Sequence, residues 1–208
     1  MVYSGVTDRD GHEWFATDRG LIRYDDTTGK WLSLVTRGAL SRVRATTLLA
    51  TGDGPVWVGS LGDGILRWQL SKDKLETYDK LGGTSPHNHE LALCQDSLGS
   101  VWAGTAGGGL SEWRKYRFER VAQGNEDPSF VNALWEDPKG CLWVGAMSGI
   151  MIISADRQNV IPFSEASTQE RLSVHVSSVV GDQEHFFIGT EGHWLPCRSR
   201  PWHQGCLW

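Results

Sequence analysis

Apolar and polar residues alternate with a period of two in short runs, and the runs return in the same order about every 43 residues. Thr47-Leu-Leu-Ala50, Leu91-Ala-Leu-Cys94, Val131-Asn-Ala-Leu-Trp135 and Val176-Ser-Ser-Val-Val180 read as apolar first strands. A turn follows each of them. Asp8-Arg-Asp-Gly11, Asp96-Ser-Leu-Gly99 and Asp137-Pro-Lys-Gly140 put Asp first and Gly last, the preference of a type I turn, and Thr51-Gly-Asp-Gly54 is a weaker copy. The Asp side chain can cap turn N–H groups, while glycine takes the positive φ that leads into the next strand.

The second strand opens on an aromatic residue three positions after the glycines Gly11, Gly54, Gly99 and Gly140. Trp14, Trp57, Trp102, Trp143 and Phe187 are spaced by 43, 45, 41 and 44 residues. Alternation places each ring and the small residue two positions on, as in Trp57-Val-Gly-Ser60 and Trp102-Ala-Gly-Thr105, on one face. A bulky ring in one sheet can then sit against a small residue in the next. A Gly-rich bend at Gly20, Gly62, Gly64, Gly107 to Gly109 or Gly149 precedes a third strand such as Ile65-Leu-Arg-Trp68. A polar turn then leads to a fourth, such as Leu75-Glu-Thr-Tyr78.

Four short antiparallel strands per period is the anatomy of a β-propeller blade, and no helical periodicity of useful length competes with it. The expected fold is therefore all-β, with complete blades at about 3–35, 45–79, 90–122 and 131–164, and a partial fifth at 175–192. That count leaves the ring incomplete. Residues 193–208, rich in Pro, Arg, Cys and Trp, stand apart as a non-repeat tail with the look of an out-of-frame read-through. An open ring exposes an apolar sheet face at each end, assigned here to the positions of Trp14 and Phe187, and self-association through these faces is expected. A compact five-blade monomer in which the tail supplies missing strands is the alternative.

Composition narrows the partners. The chain has 208 residues, 25 glycines, 11 tryptophans and a net charge of −5, which argues against nucleic acid. The stretch from Cys141 to Ile153 is interrupted by Gly145, Ser148 and Gly149, so no membrane segment is expected. Met1 to Asp10 has no basic region followed by an apolar stretch, and no secretory signal is read there.

The blade pattern Asp-x-x-Gly-x-Leu/Val-Trp-Val-Gly-Thr, followed by x-Gly-Gly-Leu and an aromatic fourth strand, resembles the two-component regulator propeller repeat of bacterial sensor ectodomains. Asp96 to Leu110 matches best, Asp137 to Ile150 nearly as well, and the resemblance spans roughly residues 5–192. It implies a periplasmic, non-catalytic sensing module of a hybrid histidine kinase or related signalling protein, with a carbohydrate-like ligand. Closed propellers of this type usually have seven blades, so the resemblance also implies a fragment. A second resemblance is to propeller lyases of the streptogramin-inactivating type, whose repeats carry a comparable turn. A third reading is a protein-interaction platform.

Candidate chemistry is sparse. His193, Cys197, His203 and Cys206 lack zinc-finger spacing, while Cys94 and Cys141 lie in strands where cysteine commonly serves as a small buried hydrophobe. Asp8 and Asp10 alternate as calcium ligands do, but a Ca²⁺ site needs six or more oxygens, so turn capping is the better account. No metal or cofactor is expected. Most tryptophans are assigned to packing, with Trp113 and Trp135 off the main register. The ligand rim is placed on the loops that join blades, with Arg42, Arg44, His87 and His89 as its candidates, because Arg and His hydrogen-bond anionic or hydroxyl-rich ligands.

Overall fold

The turn aspartate and the tryptophan six residues after it explain how each sheet is built. In the computed structural model, Asp8 Oδ1 accepts the N–H groups of Asp10 and His12, and Asp8 Oδ2 accepts Trp14 Nε1–H at 2.7 Å. Asp96 and Asp137 repeat the arrangement, with indole bonds of 2.9 and 3.0 Å to Trp102 and Trp143. One carboxylate thus closes the turn and satisfies a buried indole.

The structure describes residues 1–33, 43–69, 72, 74–121, 128–163, 175–182, 185–191 and 194–197. Blade 1 contains β1 (Val2–Thr7), β2 (Glu13–Thr17), β3 (Gly20–Asp25) and β4 (Lys30–Ser33). Blade 2 contains β5 (Ala45–Ala50), β6 (Val56–Ser60), β7 (Ile65–Gln69) and β8 (Lys74–Tyr78). Blade 3 contains β9 (Glu90–Gln95), β10 (Val101–Thr105), β11 (Gly109–Arg114) and β12 (Arg117–Arg120). Blade 4 contains β13 (Val131–Glu136), β14 (Leu142–Ala146), β15 (Gly149–Ile153) and β16 (Val160–Pro162). Blade 5 contains β17 (Val176–Gly181), β18 (Phe186–Thr190) and β19 (Trp194–Cys197). Each sheet is an antiparallel meander in chain order, and the first strands follow one another in space from β1 to β17. The third strand of blade 5 comes from the segment set apart as a tail. It pairs Ile188 with Leu195 in the register that joins Val144 to Met151 one blade earlier.

The repeated tryptophan always points toward the following blade. Trp14 packs with Val56, Val58, Leu66 and Trp68 of blade 2, and Trp57 with Val101, Ala103 and Phe118 of blade 3. Trp102 meets Leu142, Val144 and Met151, and Trp143 meets Val176, Phe186 and Ile188. The small residue beside each ring admits the first strand of the next blade. A Cβ at Gly104 would lie 2.5 Å from Val131 Cγ1, and one at Gly145 would lie 2.7 Å from Val176 Cγ1. Inner strands are also tied by polar bonds, Thr46 Oγ1 donating to Glu90 O at 2.6 Å and Asn132 Nδ2 to Val176 O at 3.0 Å.

This polarity corrects the assignment of Trp14 to an open face. Trp14 is buried, and blade 1 exposes its other face, carrying Val2, Phe15, Tyr24 and Trp31, because alternation sends neighbouring residues to opposite sides. Phe187 does stand open at the far end, 53% exposed in the register of the buried tryptophans. Trp113 packs against Trp57, Tyr78 and Phe118, and Trp135 against Trp143, so both off-register rings are packing residues. Cys94 is a free thiol raised to about 11, chiefly by burial. Cys141, expected to be a simple buried hydrophobe, is buried but disulfide-bonded, with a partner side chain outside the described ones.

Blade 2 departs from the turn pattern, and Trp57 Nε1 is left buried without a partner among the described residues. Thr51 replaces the aspartate and donates its hydroxyl to Pro55 O at 3.1 Å. Pro55 stands where His12, Ser100 and Cys141 supply an N–H, so an aspartate here would keep only part of its capping role. Thr51→Asp still supplies an acceptor for Trp57, and a gain of about 1 kcal/mol in urea unfolding is expected. No change or a loss would show that Thr51 is already the better cap.

Candidate functional site

The Gly-rich bends between second and third strands meet the loops between blades on one rim of the arc. Ser60 and Thr105, the hydroxyl residues ending the Trp-x-Gly-Ser/Thr strands, cap these bends. Ser60 Oγ accepts Asp63 N–H at 3.0 Å and donates to Gly64 O, and Thr105 Oγ1 does the same for Gly108 and Gly109. Gly62 and Gly64 have φ of +116° and +77°, which turns their N–H groups onto Asn88 O at 2.8 and 3.3 Å. Leu61 N–H donates to Arg44 O at 2.9 Å, and Ala106 N–H to His89 O at 2.8 Å. Backbone bonds therefore hold the rim, leaving side chains available for chemistry.

The backbones of Arg44 and His89 are both tied to Leu61, whose N–H donates to Arg44 O and which forms a bridge with His89. Arg42 lies outside the described residues. His87 and His89 stack edge to face with centroids 5.4 Å apart. His87 Nδ1 accepts His89 N–H at 3.2 Å, so the neutral ring carries its proton on Nε2. Burial, then the charges of His89 and Lys80, holds the His87 pKa below its ordinary value. Its ring lies over Gly107 and Gly108, where a Cβ at Gly108 would come 2.6 Å from His87 Cβ. His87 is thus partly a packing residue, whereas Arg44 and His89 are exposed.

Nearby runs a groove lined by Val43, Gly62, Asp63, Leu66, Thr77, Asp79, Leu81 and Asn88. Asn88 Oδ1 is spent on Lys80 N–H at 2.7 Å, and Asp79 Oδ1 on Gly82 N–H. Asp63 carries no side-chain hydrogen bond among the described residues. The groove therefore offers a carboxylate and an amide donor among apolar residues, the mixture that suits a small hydroxyl-bearing ligand.

Glu90 was not picked out by the sequence reading. It occupies the first position of β9, aligned with Ala45, Val131 and Val176. It is fully buried, with its Cβ 2.9 Å from the position of a Cβ at Gly59. Among the described residues neither carboxyl oxygen has a hydrogen-bond partner, and Ser60 N–H on blade 2 is engaged with Gly64 O. Burial pushes the pKa up to about 8, so the carboxyl is neutral at pH 7. A charged residue among three apolar ones at aligned strand starts is the signal that could have found it.

The opposite rim holds charge that serves packing. Arg157 donates to Asp96 Oδ2 at 2.8 Å, Glu136 Oε1 at 2.9 Å and Gly140 O at 2.7 Å, and lies over the Trp102 ring. It clamps blade 4 to blade 3. Asp8, Asp10 and His12 bring ligand atoms within 4.8 Å of one another, but the Asp8 oxygens are committed to backbone N–H groups and Trp14. Turn capping accounts for that cluster.

Neither a protein-family model nor a curated protein matches the sequence. Solved structures do. The extracellular domain of BT3049, assigned to a hybrid two component system of B. thetaiotaomicron, superposes with a TM-score of 0.74 over 91% of this chain, at 20% identity. The fold is a β-propeller, left open. This arc spans 25% of that domain and 31% of the extracellular domain of BT4673, from the same organism and assigned to a one component system, which matches at TM-score 0.62 and 19% identity over 91% of the arc. Virginiamycin B lyase from Staphylococcus aureus matches 95% of the arc at TM-score 0.65 and 15% identity, over 69% of its own length. At these identities the likeness concerns the fold. No helix among the described residues is long and apolar enough to cross a membrane.

Proposed function

We propose that this propeller arc is the non-catalytic ligand-binding part of a sensor ectodomain in a two-component-type signalling protein, working outside the cytoplasm. The observation that carries the reading is the rim groove. Asp63 and Asn88 line it on loops fixed by backbone bonds, and Arg44 and His89, next in sequence to its lining residues Val43 and Asn88, are exposed, a set of polar groups that suits binding of a carbohydrate-like ligand. The fold shared with extracellular domains of bacterial signalling proteins supports the same reading. The carboxyl next to the histidines in sequence, Glu90, is sealed between blades 2 and 3 and so is not placed as an acid or base at the groove.

The test is calorimetric titration of the chain with a panel of oligosaccharides, with the incubated mixtures analysed by mass spectrometry. Binding without product formation is expected, and Arg44→Ala combined with His89→Ala should weaken it about tenfold or more, as loss of charge-assisted hydrogen bonds does. Unchanged affinity in the double variant would remove the rim from the account. Conversion of a titrated ligand, or of a streptogramin, would replace sensing by the lyase reading.

A further inference from the structure

Where blades 3 and 4 meet on the turn rim, the Glu136 carboxylate sits at the centre of a set of donors. It accepts Ser97 N–H at 2.6 Å, Ser97 Oγ–H at 3.0 Å and Arg157 Nη2–H at 2.9 Å. The register of the sheets locates the same positions between blades 1 and 2. Ala50 stands where Glu136 does, opposite the residue before the tryptophan. Arg9 follows its turn aspartate as Ser97 follows Asp96. In the hairpins of third and fourth strands, Arg67 and Ile152 each precede their partners, Glu76 and Ile161, by nine positions, which puts Lys72 in the place of Arg157. The two flanking donors are therefore kept, with a cation in place of the serine, while the carboxylate between them is absent from the sequence. Neither of the other blade contacts repeats this set, since Gly52 and Pro138 stand at the Arg9 position.

A pocket of about 410 Å³ lies here, with Arg9, Asp10, Asp53, Arg67, Gln69 and Lys72 in its lining. Arg9 reaches onto the blade 2 turn, its Cζ 3.0 Å from the position of a Cβ at Gly54, the glycine aligned with the Gly140 whose carbonyl accepts Arg157. Arg67 is held over the Trp57 ring at 5.2 Å, and Glu76, which it meets at 3.3 Å, is shared with Lys74 and Tyr78. Lys72 is exposed and has no ion pair among the described residues. Asp8, aligned with Asp96, spends its oxygens on its own turn, His12 and Trp14. The two carboxylates of the lining sit at exposed turn tips, Asp10 at 3.7 Å from Arg9 Nε and Asp53 without an ion pair among the described residues. Three cations thus face two carboxylates in a chain whose net charge is −5.

We propose that this pocket binds the oxyanion, carboxylate or phosphate, of a small hydroxyl-bearing ligand, in the place that Glu136 fills between blades 3 and 4. Arg9 and Lys72 hold the charge through charge-assisted hydrogen bonds, and Asp53 and Gln69 take the ligand's hydroxyl groups. The site lies on the rim opposite the groove of Asp63 and Asn88 and is independent of it.

The test is calorimetric titration of the full chain with glycerate and with glycerol phosphate at fixed ionic strength, glycerol serving as the neutral control. At least one anion should bind saturably and glycerol should not, and the tighter of the two anions identifies the group the pocket prefers. Arg9→Gln and Lys72→Gln should each weaken binding about tenfold, the loss of one charge-assisted contact. Ala50→Glu should abolish binding, because it restores the internal carboxylate. Absence of saturable binding by both anions, equal binding of glycerol, or wild-type affinity in the Arg9 and Lys72 variants would overturn the proposal. Both of those side chains are exposed, so their variants keep the test decisive should Ala50→Glu lower the urea midpoint.

Discussion

Asp96→Ala is expected to destabilise the chain by about 3–5 kcal/mol, the largest loss among the turn aspartates, measured by urea unfolding followed through tryptophan fluorescence. Asp96 Oδ1 accepts the N–H groups of Leu98 and Ser100, while Oδ2 accepts both Trp102 Nε1–H and Arg157. Its side chain is 1% exposed and that of Arg157 is 16% exposed. Truncation would leave a buried indole N–H without an acceptor and a mostly buried guanidinium with one carboxylate fewer, and the blade 3 to blade 4 clamp would lose its anchor. Asp8→Ala should cost less, because Asp8 faces His12 and no arginine among the described residues.

The pH dependence of Asp96 follows from the same contacts. Burial raises its pKa, but the hydrogen bonds from Trp102, Arg157 and Ser100 outweigh burial and hold it below 3.8. A lowered carboxylate pKa contributes stability that is present above the unfolded value and is lost as pH falls through the folded one. Wild-type stability should therefore decline below pH 4 more steeply than that of Asp96→Asn. The asparagine variant should already be weakened at pH 7, since its amide nitrogen cannot accept the indole proton. Equal acid slopes in the two proteins would refute this account of Asp96.

Glu90→Val is expected to act in the opposite direction, raising stability at pH 7 by about 2–4 kcal/mol. The folded chain holds this carboxyl protonated up to about pH 8, whereas the unfolded chain releases the proton near 4.5. Folding must therefore take up a proton between those values. Stability conferred by the protonated form is complete below pH 4.5, declines by at most about 1.4 kcal/mol per pH unit above it and levels off past pH 8. Valine suits the position because Val131 and Val176 occupy it in blades 4 and 5. Glu90→Gln should flatten the pH slope while keeping an unpartnered polar group, so its gain should be smaller. A wild-type stability that does not change between pH 5 and 8 would rule out a buried neutral Glu90.

A buried carboxyl at the interface of blades 2 and 3, directly after the His87 to His89 segment, also bears on the ligand site. Glu90 O accepts from Thr46, and Asn88 O accepts from Gly62 and Gly64, so ionisation of Glu90 would load the contacts that hold the rim. If Glu90→Val binds the rim ligand as the wild type does, the residue serves the blade interface alone.

Much of the fold was legible because its determinants are local. A turn aspartate, its glycine and the tryptophan that follows lie within seven residues, so one short motif contains the turn, its cap and the start of the buried strand. The bend glycines and strand-ending hydroxyls are equally local. The same locality misled the reading of blade 2, where the weak turn copy was visible but the orphaned Trp57 indole was not. That consequence depends on what surrounds the ring and on Pro55 having no N–H to offer.

The candidate site was legible only in outline. Placing it on the loops between blades, with Arg44, His87 and His89, followed from the general plan of propellers. The packing of His87 on Gly107 and Gly108 and the groove along Val43, Leu66 and Leu81 join residues from separate loops and strands, whose meeting no local pattern encodes. Arg157 reaches Asp96 across 61 positions of the chain, and nothing near either residue announces the pair.

Period-two alternation and turn chemistry act over a few residues, and so the strand, the turn, the blade and the repeat are written locally in the chain. Which face of each blade meets its neighbour emerges from the packing of the sheets, and with it the burial of Trp14 and the exposure of Trp31 and Phe187. The same packing seals Glu90 without a partner among the described residues, and Trp194–Cys197 completes a third strand. The physical reason is that alternation assigns side chains to two faces but carries no information on which face is covered. Burial, and with it every pKa shift and unpaired donor, is a property of the neighbouring blade.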